Sequence, residues 1–173
     1  MAPDEFLAAG EVERVLRVIA AHTRPIVLID GGSGAGKTDL ARRVAPALGA
    51  QLISLDDMYP GWDGLAAASL AVQTDVLRDG RWRRWDWQSQ APAEWHAIEP
   101  TRPLVIEGCG TLSRANRALA TFGIWIELDE PTRKARALAR DGETYAPHWD
   151  RWAEQEREFF GRERPDRLAD VIL

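Results

Sequence analysis

The feature that most constrains the chain is the run Pro25-Ile26-Val27-Leu28-Ile29-Asp30 followed at once by Gly31-Gly32-Ser33-Gly34-Ala35-Gly36-Lys37-Thr38. A short, β-branched apolar run bounded by glycines reads as a strand buried on both faces, which is the habit of parallel sheets. The residues after the glycines, 38–45, read as a helix that Pro46 ends or kinks, because proline lacks the amide the helix needs. A strand, a glycine turn and a helix in that order open an α/β fold.

The rest of the chain keeps the alternation. Val12, Val15, Leu16 and Ile19 recur at helical spacing, predicting an amphipathic helix over residues 4–21. Residues 51–55 form the second strand and residues 65–77 a helix stopped by Gly80, whereas 81–103 read as irregular, polar and aromatic. Residues 103–107 make the third strand, 112–120 a helix and 122–128 the fourth strand. Pro131 opens the next helix and Gly142 closes it, with Ala135, Leu138 and Ala139 expected to face inward. Trp149, Trp152, Glu156, Phe159 and Phe160 mark one more helix, and 169–173 a fifth strand. Strand–helix alternation implies parallel pairing with right-handed crossovers, so the expected fold is a three-layer α/β/α sandwich with ligands at the carboxyl ends of the strands. At 173 residues, without repeats or linkers, the chain reads as one domain, 1–173.

Charge and cysteine content exclude several classes. The formal charge of −5 gives no footprint for nucleic acid, and no apolar run reaches the roughly 20 residues of a membrane span. Residues 1–10 lack the basic and apolar regions of a secretory leader, and Cys109 has no partner for a disulfide, so a cytoplasmic protein is expected. A packed side chain is the favoured role for Cys109.

The glycine run matches G-x-x-x-x-G-K-[ST] between a strand and a helix, the context that pattern requires. Its backbone amides can turn around phosphate, Lys37 can neutralise β and γ oxygens, and Thr38 can offer its hydroxyl to Mg²⁺. ATP and Mg²⁺ are therefore the expected cofactors. Asp56 and Asp57 end the second strand where a γ-phosphate would lie, and either could serve an acceptor hydroxyl as base; a solvated turn is the plainer alternative. Glu107 ends the third strand, where a carboxylate is costly to bury without a metal or cation beside it. Arg133, Arg136 and Arg140 share one helix face and could close over phosphates, although a solvated face is the commoner fate of such a pattern.

These motifs in this order resemble the uridine kinase and phosphoribulokinase group. Ser54-Leu55-Asp56-Asp57-Met58-Tyr59 is similar to its S-x-D-x-F-Y element, and Trp85-Asp86-Trp87 to its Y-D-F. Val105-Ile106-Glu107-Gly108 is similar to its F-E-G, and residues 129–141 to its D-x-x-T-R-x-x-R-x-x-R-D lid helix. Arg167-Leu168-Ala169-Asp170-Val171-Ile172 is similar to its closing R-Y-A-D-V-I. The resemblance implies sheet order 2-3-1-4-5, Asp56 as the acceptor-activating carboxylate, and Thr38, Asp56 and Glu107 around the metal. It also implies Asp86 as a sugar-hydroxyl ligand, and a lid over about 131–148. Met58 in place of phenylalanine, the missing R-G-R of the lid, and the insertion Tyr59-Pro60-Gly61-Trp62-Asp63-Gly64 depart from the pattern. Four tryptophans between 81 and 95 stand where that group carries a base-binding hairpin.

The expected activity is transfer of the γ-phosphate of ATP to a hydroxyl of a small acceptor, a nucleoside or sugar-like molecule. The alternative is a regulatory NTPase switch without an acceptor. The acceptor is expected within about 57–100, against Asp56, Tyr59, Trp62, Arg84, Trp85, Asp86, Trp87 and His96. Aromatic rings supply flat walls there and carboxylates accept hydroxyl protons, but these tryptophans read equally well as core.

Overall fold

The computed structural model describes residues 9–173. Five strands form the main sheet: β1 (Ile26–Gly31), β2 (Gln51–Ser54), β5 (Leu104–Glu107), β6 (Phe122–Ile126) and β7 (Val171–Ile172), in the order β2-β5-β1-β6-β7. All neighbours are parallel, Val27 pairing with Val105 on one side and Phe122 on the other. Two further strands, β3 (Arg81–Asp86) and β4 (Ala91–Ala97), pair antiparallel in a separate hairpin. Counted within the main sheet alone the order is the expected 2-3-1-4-5; the hairpin inserted between β2 and β5 changes only the labels.

Strand alternation divides the core into two layers. Val27, Ile29 and Val105 face helices α1 (Ala9–Ile19) and α2 (Lys37–Ala47), where Val12, Val15, Ile19, Leu40 and Val44 are buried. Leu28, Leu104 and Ile106 face the opposite layer, built from α3 (Leu65–Ala71), α5 (Glu130–Tyr145) and α6 (Trp149–Glu163). Two minor helices, α4 (Arg114–Arg117) and α7 (Pro165–Leu168), complete the chain. Among the described residues no helix is long and apolar enough to cross a membrane.

Several elements differ from the sequence reading. Residues 4–8 of the first expected helix lie outside the described residues. Pro46 sits inside the last turn of α2, which runs on to Ala47. α3 continues as π-helical turns over Val72–Arg78 before Gly80 takes φ 68°. Residues 81–97 are not irregular: an Arg–Trp alternation with one bulge between Arg83 and Trp85 forms the hairpin, and only residues 98–103 lack regular structure. The expected helix at 112–120 shrinks to α4, because Asp30 takes the Leu112 amide at 2.8 Å and Ser113 caps the helix start.

The expected inward face of α5 is met only in part. Arg133 and Ala137 are buried and Leu138 is half-buried, whereas Ala135 and Ala139 are exposed. Gly142 breaks the helix with φ 53° and ψ −132°, and a 3-10 turn over Ala146–His148 joins it to α6.

Candidate active site

The loop between β1 and α2 leads into the helix start, where Gly36 takes φ 101°. Glycine is required at two of its positions by Arg133: a Cβ on Gly32 would land on that guanidinium, and one on Gly34, at φ +83°, on the Arg133 carbonyl. Lys37 is buried, and its ammonium donates to the Gly32 carbonyl at 3.0 Å. Burial opposes its charge, yet the surrounding acid groups Cys109, Glu107, Glu156 and Asp30 hold its pKa above the ordinary lysine value.

Glu107 closes β5 at 2% exposure. Its Oε1 accepts from the Thr38 hydroxyl at 3.2 Å and from the Ser54 hydroxyl at 2.5 Å. Burial raises its pKa, Lys37 lowers it, and Asp56 raises it again, for a net rise. Two hydroxyls and a carboxylate beside a lysine form a hard-oxygen set. Such a set suits magnesium brought in by phosphates rather than caged by protein. No group of three or more His, Cys, Asp or Glu that could hold a metal ion occurs among the described residues. Thr38 and Glu107 would hold the ion, with Asp56 across the same cleft.

That cleft has a volume of about 540 Å³. Ser33, Gly34, Gly36, Lys37, Thr38 and Glu107 line it together with Asp56, Tyr59, Trp62, Trp87, Tyr145 and Trp152. Asp56 stands in a 3-10 turn over Leu55–Asp57, fixed by Trp87, whose Nε1 donates to the Asp56 carbonyl at 2.9 Å. Burial, then repulsion from Asp56, raises the pKa of Asp57. Trp62 is the hub of the aromatic wall: its ring stacks on His148 at 4.2 Å and Tyr145 at 5.5 Å, and tilts against Trp87 at 5.1 Å. The hydroxyl of Tyr59 is already used, donating to the Cys109 carbonyl at 2.9 Å.

Other expected residues lie elsewhere. Gly31, Gly32 and Ala35 are buried in the loop behind the cleft. Arg84 and Trp85 border a separate depression of about 170 Å³, and Arg84 also binds Glu94 at 2.7 Å. Asp86 is the hairpin's own turn residue: its Oδ1 accepts from the Gln88 amide at 3.0 Å and the Ser89 amide at 3.4 Å, and contacts with Ser89 lower its pKa. His96 stacks on Trp82 at 4.4 Å and meets Glu94 at 3.1 Å. Of the three arginines, Arg140 lines the cleft and ion-pairs with Asp141. Arg136 comes within 3.6 Å of where a Gly36 Cβ would lie. Arg133 is buried against Glu156.

Sequence reading passed over three residues that shape this site. Asp30 is fully buried and accepts amides from Gly31, Gly110 and Leu112, fixing the segment after Glu107 against the loop. Burial pushes its pKa up to about 6. Tyr145 carries the aromatic wall to Ser33 through a side-chain hydrogen bond, and burial raises its pKa. Glu156 was signalled by its place on an apolar stripe with Trp149, Trp152 and Phe159, where a carboxylate needs a partner.

No family model matches the chain. A tRNA dimethylallyltransferase of Chlamydia pneumoniae is 39% identical over 56 residues, which is 31% of this chain and 16% of that protein. The fold is similar to a possible uridine kinase from Bacillus stearothermophilus, at TM-score 0.67 and 16% identity over 95% of this chain and 97% of the other. It is also similar to a protein provisionally assigned as a fructose transport system kinase from Silicibacter sp. TM1040, at TM-score 0.58 and 19% identity over 97% and 99%. A gluconokinase from Sinorhizobium meliloti 1021 shares the fold at TM-score 0.50 and 16% identity over 80% and 75%. The chain therefore shares the fold of these proteins.

Proposed function

We propose that the protein is a magnesium-dependent phosphotransferase that moves the γ-phosphate of ATP to a hydroxyl of a small acceptor, acting in the cytoplasm. One observation carries the reading: a single cleft of about 540 Å³ is lined by Lys37, Thr38 and the Glu107 carboxylate and also by the Asp56 carboxylate and the rings of Tyr59, Trp62 and Trp87. A switch that only binds and hydrolyses nucleotide has no use for the second carboxylate and the aromatic wall.

The residues divide the work by position. Loop amides and Lys37 hold the triphosphate, and Lys37 needs only to turn from the Gly32 carbonyl to reach it. Magnesium, when bound, neutralises charge on the β and γ oxygens. Asp56 accepts the proton of the acceptor hydroxyl as that oxygen forms its bond to the γ-phosphorus and the bond to the β–γ bridging oxygen breaks, leaving ADP. Arg140 is placed at the cleft to meet charge spreading over the transferred group. Trp62 and Trp87 exclude water from the acceptor side and give it a flat apolar wall.

The test is a thermal-shift screen of nucleosides, sugars, vitamins and aminoglycosides in magnesium with a non-hydrolysable ATP analogue, followed by ATP turnover with each hit. A hit that stabilises further and raises ATP turnover at least tenfold supports the reading. ATP hydrolysis that runs equally fast with every hit and with none points to the switch.

A further inference from the structure

The ion pair beneath the phosphate loop does more than fill the core. Glu156 is 2% exposed, and its Oε1 accepts the Ser33 backbone amide at 2.6 Å and lies 3.2 Å from the Cys109 sulfur. Its Oε2 meets Arg133 Nη1 at 3.1 Å, and that same nitrogen donates to the Ser33 carbonyl at 3.1 Å. Arg133 is itself anchored through Nε to the Leu128 carbonyl at 3.0 Å. Ser33 is thus gripped at both its N–H and its C=O by two charges from different helices, and its side chain hydrogen-bonds with Tyr145 on a third contact. Gly32 leaves the space that this guanidinium occupies, and Gly34 leaves room for the Arg133 backbone carbonyl.

Buried ion pairs seldom stabilise a fold more than apolar residues of the same volume. A charged pair placed on backbone atoms of a ligand-binding loop therefore calls for a task other than stability. We propose that Glu156 is a positioning residue for nucleotide binding: together with Arg133 it sets Ser33, and so the curvature of the loop ahead of Lys37, in the shape that receives a triphosphate. The inference rests on the phosphotransferase reading of the same loop. It makes the first half of α5 a fixed brace for the loop, where the sequence suggested a mobile lid.

The test is an equilibrium titration of the full chain with a fluorescent ATP analogue in magnesium. Glu156→Gln keeps the shape but removes the charge, and is expected to raise Kd about tenfold or more, the usual cost of losing charge-assisted hydrogen bonds. Because that change strands Arg133, the double variant Glu156→Gln/Arg133→Met removes both charges together and is expected to fold and show the same loss. Phe159→Leu, buried on the same helix but away from the loop, lowers the melting temperature while Kd stays within about twofold, separating positioning from stability. Wild-type Kd in a folded Glu156→Gln or in the double variant, with binding lost in Lys37→Ala, overturns this inference alone. Wild-type Kd in Lys37→Ala overturns the nucleotide reading beneath it.

Discussion

Trp87 Nε1 donates a hydrogen bond of 2.9 Å to the backbone carbonyl of Asp56, tying the indole of the hairpin to the turn that presents the carboxylate. The contact joins two sequence segments whose roles are separate on paper, a wall and a base. Trp87→Phe keeps an aromatic ring and removes the donor. It is expected to lower kcat/KM for the acceptor by roughly five- to tenfold, the worth of one hydrogen bond, while ATP affinity stays near wild type. Steady-state kinetics with each substrate varied in turn checks this; an equal loss for both substrates would contradict it.

Asp86, the residue before Trp87, is expected to behave differently. Its carboxylate accepts amides of its own turn and does not line the cleft, so Asp86→Ala is expected to lower the melting temperature slightly, as loss of a local cap does. The acceptor KM is expected to change less than in Trp62→Ala, which removes the hub of the aromatic wall. Paired denaturation and kinetic measurements on the two variants decide between a turn residue and a ligand.

In α5, Arg133 anchors the first half, whereas Gly142 breaks the second half beside Arg140. Hydrogen exchange is therefore expected to be slow at residues 133–137 with or without an ATP analogue, and any nucleotide-dependent protection to fall at residues 138–148. Protection that appears at 133–137 only when nucleotide is added would restore a lid that moves as a whole.

The sequence made the phosphate end legible because glycine spacing, Lys37 and Thr38 act through neighbours in the chain, and the flanking strand and helix announce themselves by period. Glu107 was legible because a carboxylate ending an apolar strand needs a reason. The acceptor end was harder. The hairpin carries no glycine turn; its reversal is closed by Asp86 and by Gln90 at φ 52°, so β3 and β4 read as irregular polar chain. The face of α5 was misjudged because the helix buries a charged residue in place of small apolar ones. Contacts with Glu156, 23 residues on, and with the Ser33 and Leu128 carbonyls offset the cost.

Asp30 gives a pH signature. Its folded pKa of about 6 lies above the ordinary 3.8, so the folded chain holds this proton more tightly than the unfolded chain does. The contribution is therefore fully present below about pH 4, and stability is lost as pH rises through about 6. The span corresponds to something on the order of 3 kcal/mol. Asp30→Asn lacks the titration. The stability difference, wild type minus variant, is expected to grow on going from pH 7 to pH 4 in parallel urea titrations, and a difference independent of pH would show that Asp30 stays ionised in the fold.

The central claim is that Asp56 serves an acceptor hydroxyl while the Lys37 end serves ATP. The most direct measurement is phosphoryl transfer from ATP to a thermal-shift hit by wild type, Asp56→Asn and Asp57→Asn, with nucleotide affinity titrated in parallel. The account predicts that Asp56→Asn binds ATP as wild type does yet loses transfer by about 10²-fold or more, while Asp57→Asn retains most activity. Full transfer by Asp56→Asn, or loss confined to Asp57→Asn, would contradict it.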